Sequence, residues 1–540
     1  MAEPLQGTVI DKDATPASEK ADAVSVAPPE SPGSVWTRRI IILAFWAVVA
    51  TLGLPHWIWT TSIYRAELPA EQMTRWSEGH ACDLKYPIHV ALETGSLPLD
   101  QLKAIAEKTE NTLNLDNGQS LFSFQISALD DHHNATHERA LTASMQQQST
   151  SKAPSANLLS MTPTLELTHG PMDSIGTDNL VAFLVNELQQ IFKDEQASIT
   201  YLLRHSPFHA ASKGFNLGTE ATKAIEKRTT RAFKYSSTYH VTFSLFAASA
   251  SPSAWDIEEA LRQYIKPLLR QLSTVSDFQI DTQVQLFASF SPSIAGPQYD
   301  EATNSYKLLQ SDLSGFINAA EWPLSPSIGS GPTLNMVLYI PGPGQTPLLL
   351  ETGGNSWTIP QWGGVQILNP SEKQAGRLTT SDLEPVMLTF ADQLISLLGV
   401  PNSPPSLAMR IASLKRERAT SLILSASSTL GALNRLTRKL ESIAIPPSVA
   451  TSVDETISHL EQACSNLREG RYQLAFENAR TAEAEAEKAF FEPSMVGQVY
   501  FPDEHKVAVY VPLLGPMAVP MIMSALKELK SFRQAKVKTS

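Results

Sequence analysis

A chain of 540 residues, with 42 Lys and Arg against 54 Asp and Glu and a formal net charge of −12, can hold more than one domain and is too acidic to favour a nucleic-acid partner. Its two cysteines exclude a disulfide-dense secreted scaffold.

Residues 1–37 are rich in Ala, Pro, Ser and acids and lack the apolar content to offset ordering, so a disordered tail is expected. Next comes an uncharged run, Ile40 to Trp59, IIILAFWAVVATLGLPHWIW, directly after Arg38 and Arg39. A helix rises about 1.5 Å per residue, so ~20 apolar residues cross the ~30 Å hydrocarbon core of a bilayer. Residues 38–60 therefore read as a transmembrane helix. The apolar stretch is too long and too far from the start for a cleaved signal peptide, and reads as an uncleaved anchor.

Over residues 61–403, short strand-like runs alternate with amphipathic helices. The strands expected are Pro87–Leu92, Leu121–Leu129, Thr162–Thr168, Tyr239–Ala247, Phe278–Phe290 and Leu334–Ile340, where alternation combines with β-branched and aromatic residues. The helices expected are Leu99–Leu113, Asp178–Lys193, Ala254–Leu272 and Thr380–Leu398. In the third, Ile257, Leu261, Tyr264, Ile265, Leu268 and Leu269 recur at helical spacing, with Pro267 placed to kink it. Strand–helix–strand–strand–helix occurs twice, which allows an internal duplication, although the halves share no matching residues. The order suits a mixed sheet with helices on its faces.

From Pro405 strand signals vanish. Residues 404–495 carry three long helical patterns punctuated by Pro446-Pro447 and Gly470, and short connections make such helices antiparallel neighbours. A helical hairpin bundle is expected, followed by a pre-membrane segment over 496–506. Residues 507–526, VAVYVPLLGPMAVPMIMSAL, form a second uncharged run of spanning length, and 527–540 form a basic tail. The fold class expected is thus a mixed α/β (α+β) lumenal domain with a C-terminal helical hairpin bundle, flanked by two transmembrane helices.

Lys and Arg stay on the cytoplasmic side. Arg38 and Arg39 precede the first run, and Lys527, Lys530 and Arg533 follow the second, so both termini are expected in the cytosol and the bulk across the membrane. Residues 1–39 carry four basic and six acidic groups and residues 527–540 five basic and one acidic, which leaves the middle at −14. In the sequon Asn134-Ala135-Thr136, Asn134 is then a glycan acceptor. Cys82 and Cys464 could be joined there, but a domain of this size folds on its core alone, and the unbridged state is the preferred reading.

No constellation with catalytic spacing emerges. Asp130, Asp131, His132, His133 and His137 read as a solvated loop rather than a metal site, so no metal is expected. Gln462-Ala463-Cys464 resembles the start of a caspase nucleophile motif, but Ser465 and Asn466 do not continue it and the triplet lies in an amphipathic pattern, so a buried helical cysteine is expected. There is no G-x-S-x-G, P-loop or H-E-x-x-H, and no cofactor is expected. Gly342, Gly344, Gly353, Gly354, Gly363 and Gly364, with Pro341, Pro343 and Trp362, read as tight turns joining strands in preference to a recognition loop. In the second apolar run, Pro512, Pro516 and Pro520 recur every four residues and deprive the carbonyls of Ala508, Pro512 and Pro516 of helical partners. Lipid cannot satisfy that stripe. With Gly515 permitting close approach, it is a candidate packing face for another membrane helix.

Three segments together resemble the PIG-S family: GLPHWIWTTSIYRAELP (Gly53–Pro69), LNMVLYIPGPGQTPLLL (Leu334–Leu350) with IPQWGGVQILNP (Ile359–Pro370), and FEPSMVGQVYFPDEHKVAVYVPLLGPMAVP (Phe491–Pro520). The central and C-terminal segments suggest a fungal member. The resemblance implies a non-catalytic accessory subunit of the glycosylphosphatidylinositol (GPI) transamidase of the endoplasmic reticulum membrane. It implies as partners the caspase-like cysteine protease subunit PIG-K, which supplies the nucleophile, together with PIG-T, PIG-U and the GPI-anchor attachment subunit. GPI lipid and precursor protein are met through that complex. It transfers no active-site residue to this chain. Two other classes compete with a scaffold: a self-sufficient membrane-bound lumenal hydrolase or transferase, and a lumenal glycan- or peptide-binding receptor.

Overall fold

The structure is a computed structural model. It describes residues 31–53, 55–56, 59, 64–116, 121–129, 138–148, 153–172, 176–208, 217–289, 296–317, 331–370, 376–440, 443–495, 508, 512, 515–516 and 518–530. The chain divides into two compact units, Met1–Tyr64 with Val499–Ser540, and Arg65–Gln498.

In the smaller unit, helix α1, Pro32–Val48, starts with Pro32 in its first turn and Ser31 as its cap, then passes into a π-helical turn, Val49–Gly53. Among the described residues, Pro32–Gly53 is the one helix long and apolar enough to cross a membrane, at 22 residues. None of α1 is buried. Its half-exposed residues Val35, Arg39, Ile42 and Val49 recur at helical spacing and form one stripe. The second span expected over 507–526 is described only in part.

The larger unit begins at Arg65, which donates to the carbonyls of Thr437, Leu440 and Ile443 and so caps the end of a long helix. Helix α2, Ala70–Ser77, buries Met73 and Trp76. There follow β1 (Tyr86–Thr94), α3 (Leu99–Asp116), β2 (Phe122–Ala128), β3 (Leu141–Gln147), β4 (Ser155–Leu158), β5 (Thr164–His169), α4 (Thr177–Arg204) and α5 (Thr219–Arg231). The first sheet runs β2-β1-β3-β5-β4, all parallel except the edge strand β4. Strand β1 is buried on both faces along most of its length, as a central parallel strand must be.

The second half brings β6 (Thr238–Ala247), β7 (Ala254–Trp255) and a composite helix α6. Its α-helical parts, Ile257–Ala260 and Lys266–Leu272, flank a π-turn at Leu261–Ile265, so the strain of Pro267 is taken up as one wide turn. Then come β8 (Asp277–Leu286), β9 (Gln298–Asp300), β10 (Ser305–Leu308), β11 (Thr333–Ile340), β12 (Leu348–Leu350), β13 (Ser356–Ile359), β14 (Gly363–Ile367), β15 (Arg377–Leu378) and α7 (Thr380–Leu397). The second sheet runs β13-β14-β11-β6-β8, again parallel with one antiparallel edge, β13. The two sheets share one topology. In each, the first strand crosses through a helix to a neighbour on one side, the third strand lies on its other side, and an antiparallel edge hairpin precedes the closing helix. On one face of the second sheet Phe243 meets Phe390 of α7, with ring centroids 5.9 Å apart. A second core cluster on the other face, with Phe246, Val337, Tyr339 and Val365, takes in Leu308 and Leu350 from the small sheet β12-β10-β9.

The C-terminal helices are α8 (Leu407–Lys439), α9 (Pro447–Arg468) and α10 (Tyr472–Phe490); α10 packs on both of the others. Residues 518–530 form helix α11 of the smaller unit.

Several features differ from the sequence reading, among them the expected helix Ala254–Leu272, which starts only at Ile257 after Ala254–Trp255 form β7. Cys82, between α2 and β1, and Cys464, on α9, are joined by a disulfide with Cα atoms 6.1 Å apart; a separation of 382 residues carries no local signal of such a pair. Helix α4 continues past Lys193 to Arg204, because its buried face goes on through Glu195, Ile199 and Leu203. Helix α5, with Ile225 its one buried residue, lacks the apolar stripe that marks a helix in sequence. Strand β8 stops short of Phe290, at Leu286, where Phe287 turns to a left-handed φ of 56°.

Candidate functional site

The densest polar chemistry lies in the middle of α8, where Lys415, Arg416, Glu417 and Arg418 stand in a row. Four consecutive charges on a helix point around its whole circumference, so they can stay ionised inside a protein only if a partner waits on every side. Each of them has a different one. Lys415 Nζ lies 3.8 Å from Glu138, between β2 and β3. Arg416 grips both carboxylate oxygens of Glu195 on α4, the Nη2–Oε2 bond measuring 2.8 Å. Its guanidinium also lies 4.9 Å from the ring centroid of Tyr472 on α10. Glu417 receives Arg228 of α5, with bonds of 2.9 and 3.0 Å. Arg418 donates to the carbonyl of Leu398, at 3.0 Å, and to that of Phe233.

The electrostatics follow from that enclosure. Burial works against the charge of Arg416, but Glu195 outweighs it and the guanidinium is held above its ordinary pKa. Burial pushes the Glu417 carboxyl up, against the pull of Arg228. Burial lowers Lys415 and Arg418. Around the row, Tyr86 shares a hydrogen bond of 2.7 Å with Thr420, and Tyr472 donates to the carbonyl of Pro87 at 2.6 Å. Arg228 also donates to the Gly399 carbonyl and to Ser198. This is a junction: one turn of α8 ties both sheet regions to the bundle. Its charged pairs hold positions, and no nucleophile sits beside a base within it. The sequence reading passed over it, because a run of charges ordinarily marks a solvated helix face; the available signal was its position inside a helix otherwise rich in apolar residues.

The residues singled out in the sequence fall as follows. Cys464 is a buried helical residue whose sulfur is committed to Cys82, so it presents no thiolate. Among the described residues no group of three or more His, Cys, Asp or Glu could hold a metal ion. Asn134 and the cluster Asp130 to His137 lie outside the described residues, as does Arg533. The glycine region consists of turns and strand. Gly353 takes a φ of 84° between β12 and β13, while Gly363 and Gly364 lie in β14. A Cβ on Gly363 would stand 1.9 Å from the Asn335 carbonyl oxygen, and one on Gly364 would stand 2.0 Å from Gln393 Oε1 of α7.

In the smaller unit the basic pair at the start of α1 meets an acid from the far end of the chain. Arg38 Nε and Arg39 Nε donate to the two oxygens of Glu528 at 2.9 and 3.0 Å. The start of α1 is thereby joined to the end of α11. Half-exposed Ala518, Met521, Ala525 and Glu528 form a stripe on α11 like that on α1. Lys527 and Lys530 are exposed. Pro512, Pro516 and Pro520 are helical and exposed, and a Cβ on Gly515 would meet nothing within 4 Å.

Comparison with known proteins extends over nearly the whole chain. The family described as phosphatidylinositol-glycan biosynthesis class S protein, PIG-S, matches residues 44–535. The human GPI-anchor transamidase component PIGS is 29 % identical over 541 residues, covering 90 % of this chain and 94 % of that protein. The GPI transamidase component PIG-S homolog of Schizosaccharomyces pombe is 28 % identical over 506 residues, covering 91 % and 84 %. The Saccharomyces cerevisiae GPI transamidase component GPI17 is 25 % identical over 529 residues, covering 92 % and 93 %. With a match that runs from within the first apolar run through the whole of the second, the chain belongs to the PIG-S family.

Proposed function

We propose that this chain is a non-catalytic scaffold subunit of the GPI transamidase, supporting the attachment of GPI anchors to precursor proteins at the endoplasmic reticulum membrane. The observation that carries the reading is the likeness over nine-tenths of the chain to proteins named as components of that transamidase, which extends into both apolar runs. The commitment of Cys464 to a disulfide supports a catalytic cysteine in a partner, as in a caspase-like subunit such as PIG-K. PIG-T, PIG-U and the GPI-anchor attachment subunit complete the proposed assembly. Tethering the large unit at both ends raises its effective concentration beside membrane-borne substrates without new chemistry.

Two membrane crossings with both termini in the cytosol belong to the same proposal. The Arg38–Glu528–Arg39 cluster supports it, since it joins the outer ends of α1 and α11 on one side. A lumenal middle makes Asn134 a glycan acceptor. Native purification of the tagged full chain from its membranes tests the reading. The expected result is recovery with a cysteine-protease subunit, and retained transamidase activity in the Cys82→Ser, Cys464→Ser double variant. Turnover of substrate by the chain purified alone would overturn it in favour of a self-sufficient enzyme.

A further inference from the structure

A cleft of about 260 Å³ opens beside the charged junction, lined in part by Arg228, Lys234, Gln361, Glu417, Arg418 and Ser421. Residues 417, 418 and 421 lie on one face of α8, at helical spacing. The charges around the cleft do not balance. Glu417 is occupied by Arg228. Arg418 forms no ion pair among the described residues; only its Nη2 is engaged, on two backbone carbonyls. Lys234 is exposed, and its ammonium has no partner among the described residues. The hydroxyl of Ser421 likewise has none there, although the residue is half-buried. Three underused donors, two of them cationic, thus line one concavity that holds a surplus of positive charge.

A half-buried guanidinium whose neighbouring carboxylate, Glu417, is already taken up by Arg228 gains from a further source of negative charge. Water can serve an exposed ammonium; Arg418 is half-buried on the cleft wall beside Leu414, Phe233 and the Gly399 turn, where a Cβ on Gly399 would come 3.4 Å from its Nη2. A guanidinium with free N–H groups, a nearby ammonium and a hydroxyl make up a donor set that suits a tetrahedral oxyanion. The volume is several times the ~30 Å³ share of one water and falls just short of the ~300 Å³ at which drug-sized pockets begin. It fits a phosphate bearing at most a small polar group. We infer that this cleft binds a phosphate group, with Arg418 as the anchor and Lys234 and Ser421 completing its shell. The inference does not rest on the proposed role in the transamidase.

The test is calorimetric titration of the full chain in detergent with inorganic phosphate and, separately, with glycerophosphoinositol, each against chloride at matched ionic strength. Saturable binding is expected. It should weaken about tenfold or more in Lys234→Ala with Ser421→Ala, and vanish in Arg418→Gln. The Lys234 ammonium and the Ser421 hydroxyl form no bond to the rest of the described chain, so that double variant keeps the fold even where Arg418→Gln does not. Tighter binding of glycerophosphoinositol than of phosphate identifies a lipid headgroup as the source; equal affinities identify the free ion. Absence of saturable binding of both ligands, or wild-type affinity in the Lys234, Ser421 double variant, would overturn the inference.

Discussion

Arg416 on α8 closes a two-pronged hydrogen bond on Glu195 of α4, and the two side chains are only 4 % and 5 % exposed. A pair so enclosed contributes little net stability against apolar residues of the same shape, yet removal of one partner strands the other's charge. Arg416→Met alone is therefore expected to destabilise by about 3–5 kcal/mol, and Arg416→Met with Glu195→Leu by much less. Thermal unfolding of the two variants, side by side in detergent, gives the ranking. Equal losses would show that the pair is not coupled as described.

The Cys82–Cys464 bridge closes a loop of 382 residues, so it ties the start of the first sheet to α9 across most of the larger unit. Removing a native disulfide typically costs about 2–5 kcal/mol, and chain-entropy reasoning for a loop this long gives about 6 kcal/mol as an upper figure. Replacing both cysteines with Ser should lower the unfolding temperature of the full chain while leaving assembly with partners intact, because the sulfur chemistry is structural. A free-thiol assay on the unfolded, unreduced protein checks the premise: it should find no reactive thiol.

Neighbouring glycines in β14 answer differently to the same change. A methyl at Gly363 would collide with the Asn335 carbonyl in the next strand, which cannot rotate away. A methyl at Gly364 would collide with the far end of Gln393, which can rotate, at the loss of its bonds to the carbonyls of Trp357 and Val365 at 3.1 and 3.2 Å. Gly364→Ala is expected to cost about 1–3 kcal/mol, the penalty for orphaning buried acceptors. Gly363→Ala is expected to cost more. Unfolding temperatures in the reverse order would refute this account of β14.

What was legible in sequence follows what sequence encodes locally. The runs at Tyr239–Ala247 and Leu334–Ile340 announced strands, because alternation combines there with β-branched and aromatic residues; they form β6 and β11, and their central, doubly buried place is a product of the fold. The helices after Pro405 announced themselves by periodicity. Strand β3 did not, because its inward residues Leu141, Ala143 and Met145 are interleaved with residues that read as low-complexity polar sequence. The charged junction was invisible for a different reason. Lys415 to Arg418 look solvated until Glu138, Glu195 and Arg228 arrive from three distant segments. The disulfide and the Arg38–Glu528 contact are likewise products of topology. In each case the missing information was which remote residues the fold brings together.

Pro516 tests the packing face proposed for the second membrane segment. Its missing N–H leaves the carbonyl of Pro512 without its helical partner, and both residues are exposed within this chain. A neighbouring membrane helix bearing a hydroxyl or amide donor would satisfy that carbonyl. Pro516→Leu restores the internal bond and puts a larger side chain on the face. It is expected to reduce co-purification with partner subunits in detergent, while expression of the chain itself is maintained. Unchanged co-purification would remove the proline stripe as an interface.

Glu528 makes a prediction about pH. Its carboxyl lies below its ordinary value of 4.5, held there first by the hydrogen bond from Arg39, against desolvation, with Arg38 adding to the pull. A depressed carboxyl contributes its stabilisation above the unfolded value, and that contribution is lost as pH falls through the lower folded one. The arginines stay charged throughout, so the carboxyl alone sets the window. The pairing of α1 with α11 should therefore be complete at neutral pH, hold to about 4.5, and loosen below it. Spin labels at Trp36→Cys and Leu529→Cys, both exposed positions, can report it, since the two native cysteines are already bonded to each other. A narrow distance distribution at neutral pH should broaden on acidification, and Glu528→Gln should be broad at every pH. Because the cluster is solvent-accessible the effect should also weaken in high salt. If Glu528→Gln gives the wild-type distribution at neutral pH, the acid does not join the two ends of the chain.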